Sequence, residues 1–293
     1  MANFSCDLCG SINFKELFRT SENEKGPAFF PSSDVIGNDL IVQCKECKLS
    51  TVHPLPDEKK IIEEYSEYVD ERFANQAKGR EITSNRNLEY IEKFKERGEI
   101  LDIGTANAPF LHIAKKRGWT VTGIELNKYL IKWAKENYNL DIKQGTIFEN
   151  TFNKKFDVIT LWDVLEHVSS PSKTLEKCNL LLKQDGLFVI NYPDYQSWIA
   201  KMLGKKWPFY LSVHIYYFDR RTIKKILNKA GFKVIKIRPH IQHLDLGYIL
   251  FRARRYIGIL ASIPFSIVKF LKLENKKIPY WIGQTLVVAT KND

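Results

Sequence analysis

The sequence predicts an α/β protein: a mostly parallel sheet with helices on both faces, preceded by a small cysteine-bearing segment. Three observations carry that prediction. From Glu99 onward, short apolar runs alternate with amphipathic stretches of helical length. The stretch EILDIGTANAP, Glu99–Pro109, reads as a buried strand, a turn at Gly104 and a helix opening near Asn107. Ahead of these stand two C-x-x-C pairs, Cys6/Cys9 and Cys44/Cys47.

In chain order, the cysteine pairs come first. Four thiols in two such pairs suit a closed tetrahedral zinc site, with no open position for chemistry. The thirty-four residues between them leave room for a hairpin. Cys178 is left over on an apolar helix face and reads as a core thiol. His53-Pro-Leu-Pro56 reads as a linker, which bounds a unit at residues 1–55. Helices are expected at Asp57–Tyr68 and Gly79–Arg97, so residues 56–98 form a helical linker or lid, with Tyr65 and Tyr68 either facing a ligand or packing on the core.

Residues 99–293 make the main domain. Strands are expected at Ile100–Ile103, Thr120–Ile124, Asp141–Lys143, Phe156–Leu161, Gly186–Asn191, Lys233–Ile237 and Gln284–Thr290. Helices are expected at Phe110–Arg117, Lys128–Tyr138, Ser172–Lys183 and Arg221–Ala230. Asn107 is placed as the N-cap of the first of these, and Pro109 fits its first turn, where no N–H is needed. Ligands of such sheets sit over the carboxyl ends of the strands. That edge collects Asp102 and Gly104, then Glu125, then Gly145, Thr146 and Ile147, then Trp162 and Asp163, then Asn191 and Tyr192. A carboxylate placed like Glu125 can accept both hydroxyls of a ribose.

The nicotinamide fingerprint G-x-G-x-x-G is poorly matched, its three positions being Gly104, Ala106 and Pro109. The acid two residues before the turn, Asp102, points elsewhere. LDIGTANA, FDVITLWDVLEHV, GLFVINYPD and HIYYFDRRTIKKILNKAGF together resemble the class I S-adenosylmethionine-dependent methyltransferases, over Glu99–Phe232 and again at the last strand. The resemblance implies a Rossmann-like seven-stranded sheet whose last strand inserts antiparallel. It implies S-adenosylmethionine as cofactor, held by Asp102, Gly104, Ala106, Glu125, Leu126, Gly145, Thr146, Ile147, Trp162 and Asp163. The family's loop carries glycine where this chain has Ala106 and Ala108. Left-handed backbone costs a residue with a Cβ about 1–2 kcal/mol, so both alanines are expected at negative φ or in a reshaped loop.

His214 and His167 match family motifs and are the candidate general bases, imidazole titrating near neutral pH. Asp163, Glu166 and His167 resemble a metal cluster of quinone-precursor O-methyltransferases. Asp stands here for the first Glu, so no metal is expected there. His240 and His243 have no partners in the sequence that make a zinc pattern. Nine aromatic residues lie between Tyr192 and Phe218, an insertion (192–218) expected to form an acceptor pocket or its lid.

The chain has 293 residues, 44% of them hydrophobic, and a net charge of +11. That charge favours an anionic partner: a phosphorylated substrate, a membrane surface or nucleic acid. In the excursion 239–281, Arg252, Arg254, Arg255, Lys269 and Lys272 flank an apolar stretch too short to span a bilayer. No secretory signal is read at the N-terminus, and the expected location is cytoplasmic, with peripheral contact on an anionic membrane face. The function expected is methyl transfer to a small-molecule, sugar or lipid-linked acceptor. The alternatives are an RNA methyltransferase and a zinc-dependent, non-catalytic binding module on a degenerate fold.

Overall fold

The computed structural model describes residues 4–20, 40–69, 71–211, 213–257 and 268–292, with no side chain described at 72 or over 253–257. The order of elements begins with β1 (Phe14–Arg19), β2 (Leu40–Cys44), β3 (Ser50–His53), α1 (Glu58–Glu67), α2 (Glu71–Ala74) and α3 (Ala77–Ile91). The alternating part follows as β4 (Glu99–Ile103), α4 (Pro109–Lys116), β5 (Thr120–Glu125), α5 (Lys128–Tyr138), β6 (Lys143–Gln144), β7 (Phe156–Trp162), α6 (Pro171–Leu181) and β8 (Leu182–Pro193). The last third holds α7 (Trp198–Leu203), β9 (Tyr216–Tyr217), α8 (Arg220–Lys229), β10 (Phe232–Pro239), β11 (Gln242–Asp245), α9 (Leu246–Ile257), β12 (Lys277–Tyr280) and β13 (Gln284–Lys291).

Seven strands form the main sheet in the order β10-β13-β8-β7-β4-β5-β6. Neighbours from β8 to β6 run parallel, and β13 inserts antiparallel between β8 and β10. The central strands are apolar along their whole length because both faces are covered. On one face, Leu88, Ile91, Phe110 and Leu111 of α3 and α4 pack on Ile100, Val158 and Val189. On the other, Leu175, Cys178, Ile223 and Leu227 of α6 and α8 pack on Leu101, Ile159 and Phe188. Cys178 is fully buried there, a core thiol as expected.

Three local expectations change. α3 ends at Ile91, not Arg97, because its last amide groups close on Leu88 and Tyr90 before the Glu96–Gly98 approach to β4. Asn107 is not the N-cap of α4. Ala108 occupies that position with no side-chain hydrogen bond, and Asn107 Nδ2 instead donates to the Ala74 carbonyl at 3.1 Å, tying α2 over the loop. The third strand, β6, shifts to Lys143–Gln144, where it pairs with Ile124 and Glu125.

The cysteine segment is joined to the sheet domain more closely than the linker reading implies. β1, β2, β3 and β9 form one antiparallel sheet, with Ser50 opposite Tyr217 and Thr51 opposite Tyr216. Cys6, Leu8, Ile41 and Leu49 share a continuous core with Tyr192, Trp207 and Phe218. Asp7 accepts hydrogen bonds from Ser170 Oγ (2.6 Å) and the Ser172 amide (2.8 Å) at the start of α6. Most of the insertion's aromatic residues are therefore core. Tyr192, Tyr195, Trp207, Tyr210, Tyr216, Tyr217 and Phe218 are buried, whereas Trp198 is exposed. The physical reason is that β9 needs a hydrophobic floor where the cysteine sheet meets the main one.

Candidate functional site

Three carboxylates stand at the carboxyl ends of three adjacent strands. Asp102 lies near the end of β4, Glu125 ends β5 and Asp163 follows β7. Asp102 is buried and accepts from Thr160 Oγ1 at 2.6 Å. Burial, aided by the nearby Glu125 charge, pushes its pKa up to about 7. Glu125 is also buried, and burial raises its pKa against the opposing pull of three backbone amides. Those are Ala106 at 2.7 Å, Leu126 at 2.8 Å and Asn127 at 2.9 Å. The second-strand acid thus sits against the first-strand loop.

The loop itself departs from expectation. Ala106 and Ala108 both take positive φ, 51° and 59°, and Gly104 takes 65°. Both alanines thus take the left-handed backbone that their Cβ atoms disfavour. A Cβ on Gly104 would come within 2.6 Å of Val164 Cγ2, so this position needs glycine on space as well as on φ. The alanines bear strain of about 1–2 kcal/mol each. Ala106→Gly should therefore raise stability by about 1 kcal/mol, after the unfolded chain's added freedom takes back part of the gain. Ala108→Gly should gain less, because its fully buried methyl fills the core. Urea denaturation of both variants checks the difference.

Asp163 has φ of 52°. Its Oδ1 accepts from Asn191 Nδ2 at 2.5 Å and its Oδ2 from Gln242 Nε2 at 3.1 Å. Burial raises its pKa. Trp162 stacks on His240 at 5.8 Å and meets Phe110 at 5.1 Å. Trp162 Nε1, Asn107 Oδ1 and His240 Nδ1 are buried with no hydrogen-bond partner, three polar atoms at this edge without one. Gly145 (φ 113°) donates to the Glu125 carbonyl at 2.9 Å, which brings Thr146 and buried Ile147 to the same edge.

The helices before β4 reach this edge too. Asn127 Nδ2 donates to the carbonyls of Tyr65 (2.6 Å) and Tyr68 (2.8 Å), and the Tyr65 hydroxyl bonds the Glu125 carboxylate. Asn127 also caps α5 through Leu130 N at 2.9 Å. Sequence reasoning missed Asn127, Gln242 and the pairing of Asn191 with Asp163. The "LN" after Glu125 before a helix was the only signal for the first. The other two depend on long-range pairing.

His167 and His214 do not join the carboxylate edge group. Their rings meet edge to face at 4.7 Å. His167 Nδ1 bonds the Val213 carbonyl at 2.9 Å, and His214 Nδ1 the Phe209 carbonyl at 2.8 Å. Burial lowers the pKa of His167 to about 4 and that of His214 well below the usual imidazole range. The third member of their group is Glu166, whose pKa burial raises well above the usual carboxylate range. Cys6, Cys9, Cys44 and Cys47 converge, one sulfur from each within 4.8 Å of the others. Cys6 Sγ lies 3.4 Å from Cys47 Sγ, and Cys9 Sγ 3.5 Å from Cys44 Sγ, a geometry open to a metal ion.

Beyond the end of β8 lies a cavity of about 430 Å³, lined by Asp194, Ser197, Trp198, Lys201, Arg220 and Trp281 among others. No helix among the described residues is long and apolar enough to cross a membrane. Of the basic excursion, residues 258–267 and the side chains of Arg254 and Arg255 lie outside the described residues.

Residues 69–237 match a family model described as a methyltransferase domain. The ubiquinone biosynthesis O-methyltransferase of Actinobacillus pleuropneumoniae serotype 5b is 35% identical over 115 residues, 34% of this chain and 49% of that protein. The enzyme of the same name from Coxiella burnetii (strain Dugway 5J108-111) is 28% identical over 134 residues, 42% of this chain and 57% of that protein. The chain thus spans about half the length of the curated relatives it matches. Among solved structures, a SAM-dependent methyltransferase from Archaeoglobus fulgidus superposes with a TM-score of 0.52 at 20% identity, covering 76% of this chain and 100% of that one. Such distant likeness speaks for the fold alone. With the family model matched over more than half its length and the seven-stranded sheet in place, the chain belongs to the class I S-adenosylmethionine-dependent methyltransferases.

Proposed function

We propose that the chain transfers a methyl group from S-adenosylmethionine to a small-molecule acceptor at the carboxyl edge of the main sheet. The observation that carries this reading is the convergence of Asp102, Glu125 and Asp163 on one edge, each with a raised pKa. Carboxylates desolvated in this way favour a cationic ligand. The cofactor brings two cationic groups, an ammonium and a sulfonium. Glu125 would take the ribose hydroxyls, and Gly104, Ala106 and Leu126 would offer backbone at the loops. Gly145, Thr146 and Ile147 would border the adenine. Trp162, stacked on His240, would present an aromatic face to the sulfonium. When bound, the cofactor supplies an already activated methyl. The chain's part is to align acceptor and methyl, which can lower the barrier by about 7–11 kcal/mol, and to exclude water.

His214, with His167 beside it, is the proposed base in the absence of a metal. Each is held by a carbonyl at Nδ1, which fixes the proton there and leaves Nε2 to accept. The relatives' printed names support a small-molecule acceptor. The cavity beyond β8 combines tryptophans with Lys201, Asp219 and the Arg220–Asp194 ion pair, a lining that suits a sugar-like acceptor. The four cysteines are proposed to hold a structural zinc, since a closed four-thiolate set leaves no position for a reactant.

The test is incubation with S-adenosylmethionine labelled in its methyl group and a fractionated cell extract. Label should appear in a small-molecule or lipid fraction. Label confined to RNA, with binding that weakens steeply as salt rises, would overturn the acceptor assignment. A membrane-linked acceptor further requires sedimentation with anionic vesicles at low salt and release as salt increases. No sedimentation at any salt would restrict the acceptor to soluble compounds.

A further inference from the structure

Trp198 stands apart from the buried aromatic residues of its segment, with 64% of its surface open. Its indole lies 5.8 Å from that of Trp281, the two rings tilted by 40°. Both line the cavity of about 430 Å³ beyond β8, a size within the usual range of ligand pockets. The same lining holds Asp194, only 4% exposed. Asp194 Oδ1 accepts from the Gln196 amide at 3.0 Å. Its Oδ2 lies 3.7 Å from Arg220 Nε, an ion pair too long for a direct hydrogen bond. Oδ2 thus keeps lone pairs, and the Arg220 fork keeps N–H donors, for a third group. Asp219, the other acid of the lining, is spent on α8. Its Oδ1 accepts from the amides of Arg221 (3.0 Å) and Thr222 (2.7 Å).

The walls are set before any ligand arrives. The Tyr195 hydroxyl, next to Asp194, accepts from Gln43 Nε2 (3.0 Å) and Ser50 Oγ (3.1 Å) of β2 and β3, so the cysteine sheet braces this loop. Asp194 N donates to the Gly283 carbonyl at 3.0 Å. Gly283 has φ of 110°, and a Cβ there would come within 2.6 Å of Ser197 Oγ, so the two loops meet as closely as glycine allows. Trp281 Nε1 donates to the Gln284 carbonyl at 2.7 Å, and Trp207 Nε1 to the Ile282 carbonyl at 2.8 Å. Those bonds fix the Trp281 ring and the chain that carries it. Groups held in this way lose little freedom when a ligand binds.

We infer that this cavity is a binding site for a neutral pyranose sugar, its ring lying on Trp198 and Trp281 and two neighbouring hydroxyls meeting Asp194 and Arg220. The C–H face of such a ring is weakly positive and packs on the negative face of an indole. The bend between the two indoles follows a puckered ring better than a flat one. One hydroxyl donates to Asp194 Oδ2 and its neighbour accepts from Arg220, both as charge-assisted hydrogen bonds. The lining sets Asp194 and Asp219 against Lys201, Arg220 and Arg221, a near balance that gives a phosphate or an ammonium little advantage. Asn191, which holds Asp163, precedes Asp194 by three residues, about 10 Å of extended chain. The sugar therefore sits beside the edge where the methyl is expected. That it carries the accepting hydroxyl rests on the methyltransferase reading; its binding does not.

The probe is a panel of methyl glycosides (glucopyranoside, mannopyranoside, galactopyranoside and rhamnopyranoside) offered to the full chain and read by saturation-transfer NMR. At least one should bind, with a dissociation constant on the order of 1 mM, the scale for roughly a dozen heavy atoms in an open site. Trp198→Ala should weaken that binding about tenfold or more, and Trp198→Phe should keep most of it. Phe270→Ala removes a ring that is more exposed, at 86%, and should change nothing. Asp194→Asn should weaken binding too. Because Asp194 is buried and its variant could fail to fold, the two variants at exposed Trp198 carry the decision. S-adenosylhomocysteine, titrated into Trp198→Ala, should bind as it does to the wild type. No binding by any glycoside of the panel, or binding unchanged in Trp198→Ala, would overturn the assignment. So would inorganic phosphate or adenosine monophosphate binding there in place of the glycosides. Sugar binding by a chain that does not bind S-adenosylhomocysteine would leave this site standing and refute the functional reading alone. The reverse result would refute this site alone.

Discussion

Cys44→Ser should destabilise the whole chain, not only its first fifty residues. Cys44 is fully buried and ends β2, which pairs with β3, which pairs in turn with β9. On the proposal that the four cysteines hold zinc, the variant loses a ligand whose site contributes directly to folding. The apolar core of that segment continues into Tyr192, Trp207 and Phe218 under the main sheet. Lys225 Nζ and Lys229 Nζ of α8 also donate to the carbonyls of Cys47 and Leu8, at 3.2 and 2.7 Å. A loss of about 3–5 kcal/mol is the scale for such a buried, networked position. The expected outcome is a single thermal transition at lower temperature, matched when a strong chelator is added to the wild type. Two separate transitions, with the main one unmoved, would show that the cysteine segment folds by itself.

Asp102→Asn should abolish the pH dependence contributed by this one group. The folded-state pKa of Asp102 is about 7, above the usual carboxylate value near 3.9. Between about pH 4 and 7 the folded chain keeps a proton that the unfolded chain has released. Raising the pH therefore draws the equilibrium towards the unfolded chain, and this group's cost is complete above about pH 7. Three units at about 1.4 kcal/mol each give a scale of ~4 kcal/mol. The asparagine oxygen can still accept from Thr160 Oγ1 and carries no charge. Urea denaturation of the cofactor-free protein should find the variant more stable at pH 8 by up to that amount, with the difference vanishing near pH 4. Equal stabilities at pH 8 would mean that Asp102 is ionised without penalty. Buried His167, with its pKa lowered to about 4, works the opposite way: its stabilisation is lost as pH falls from about 6.5 towards 4. The comparison is between variant and wild type at each pH for that reason.

Much of this arrangement was legible in the sequence. The sheet, its helices and the carboxylate edge follow from periodicity and from acids placed at strand ends, which are local features. Asp102, Glu125 and the four cysteines could be located at strand ends and in C-x-x-C pairs because each lies in a short local pattern. What escaped was set by distant pairing. β9 is only two residues long, too short for any periodic signal, yet it joins the cysteine sheet to His214. The resemblance groups Asp163 with Glu166 and His167, with no metal expected there. A positive φ at Asp163 turns it towards Asn191 instead. Ala106 and Ala108 read as incompatible with left-handed turns, and the fold imposes those turns all the same, because the surrounding strand and helix leave the loop one path.

The most direct test of the account is a calorimetric titration of S-adenosylhomocysteine into the wild type and into Glu125→Ala. Glu125 lies where the ribose hydroxyls are expected, and hydrogen bonds to a charged group contribute about 1.5–3 kcal/mol. The account predicts binding to the wild type and a roughly 10- to 150-fold weaker dissociation constant in the variant. Because three backbone amides also rest on this carboxylate, the variant's folding is checked by its unfolding midpoint, and Glu125→Gln serves as the milder change. A folded Glu125→Ala that binds as tightly as the wild type, or a wild type that does not bind at all, would contradict the placement of the cofactor at this edge.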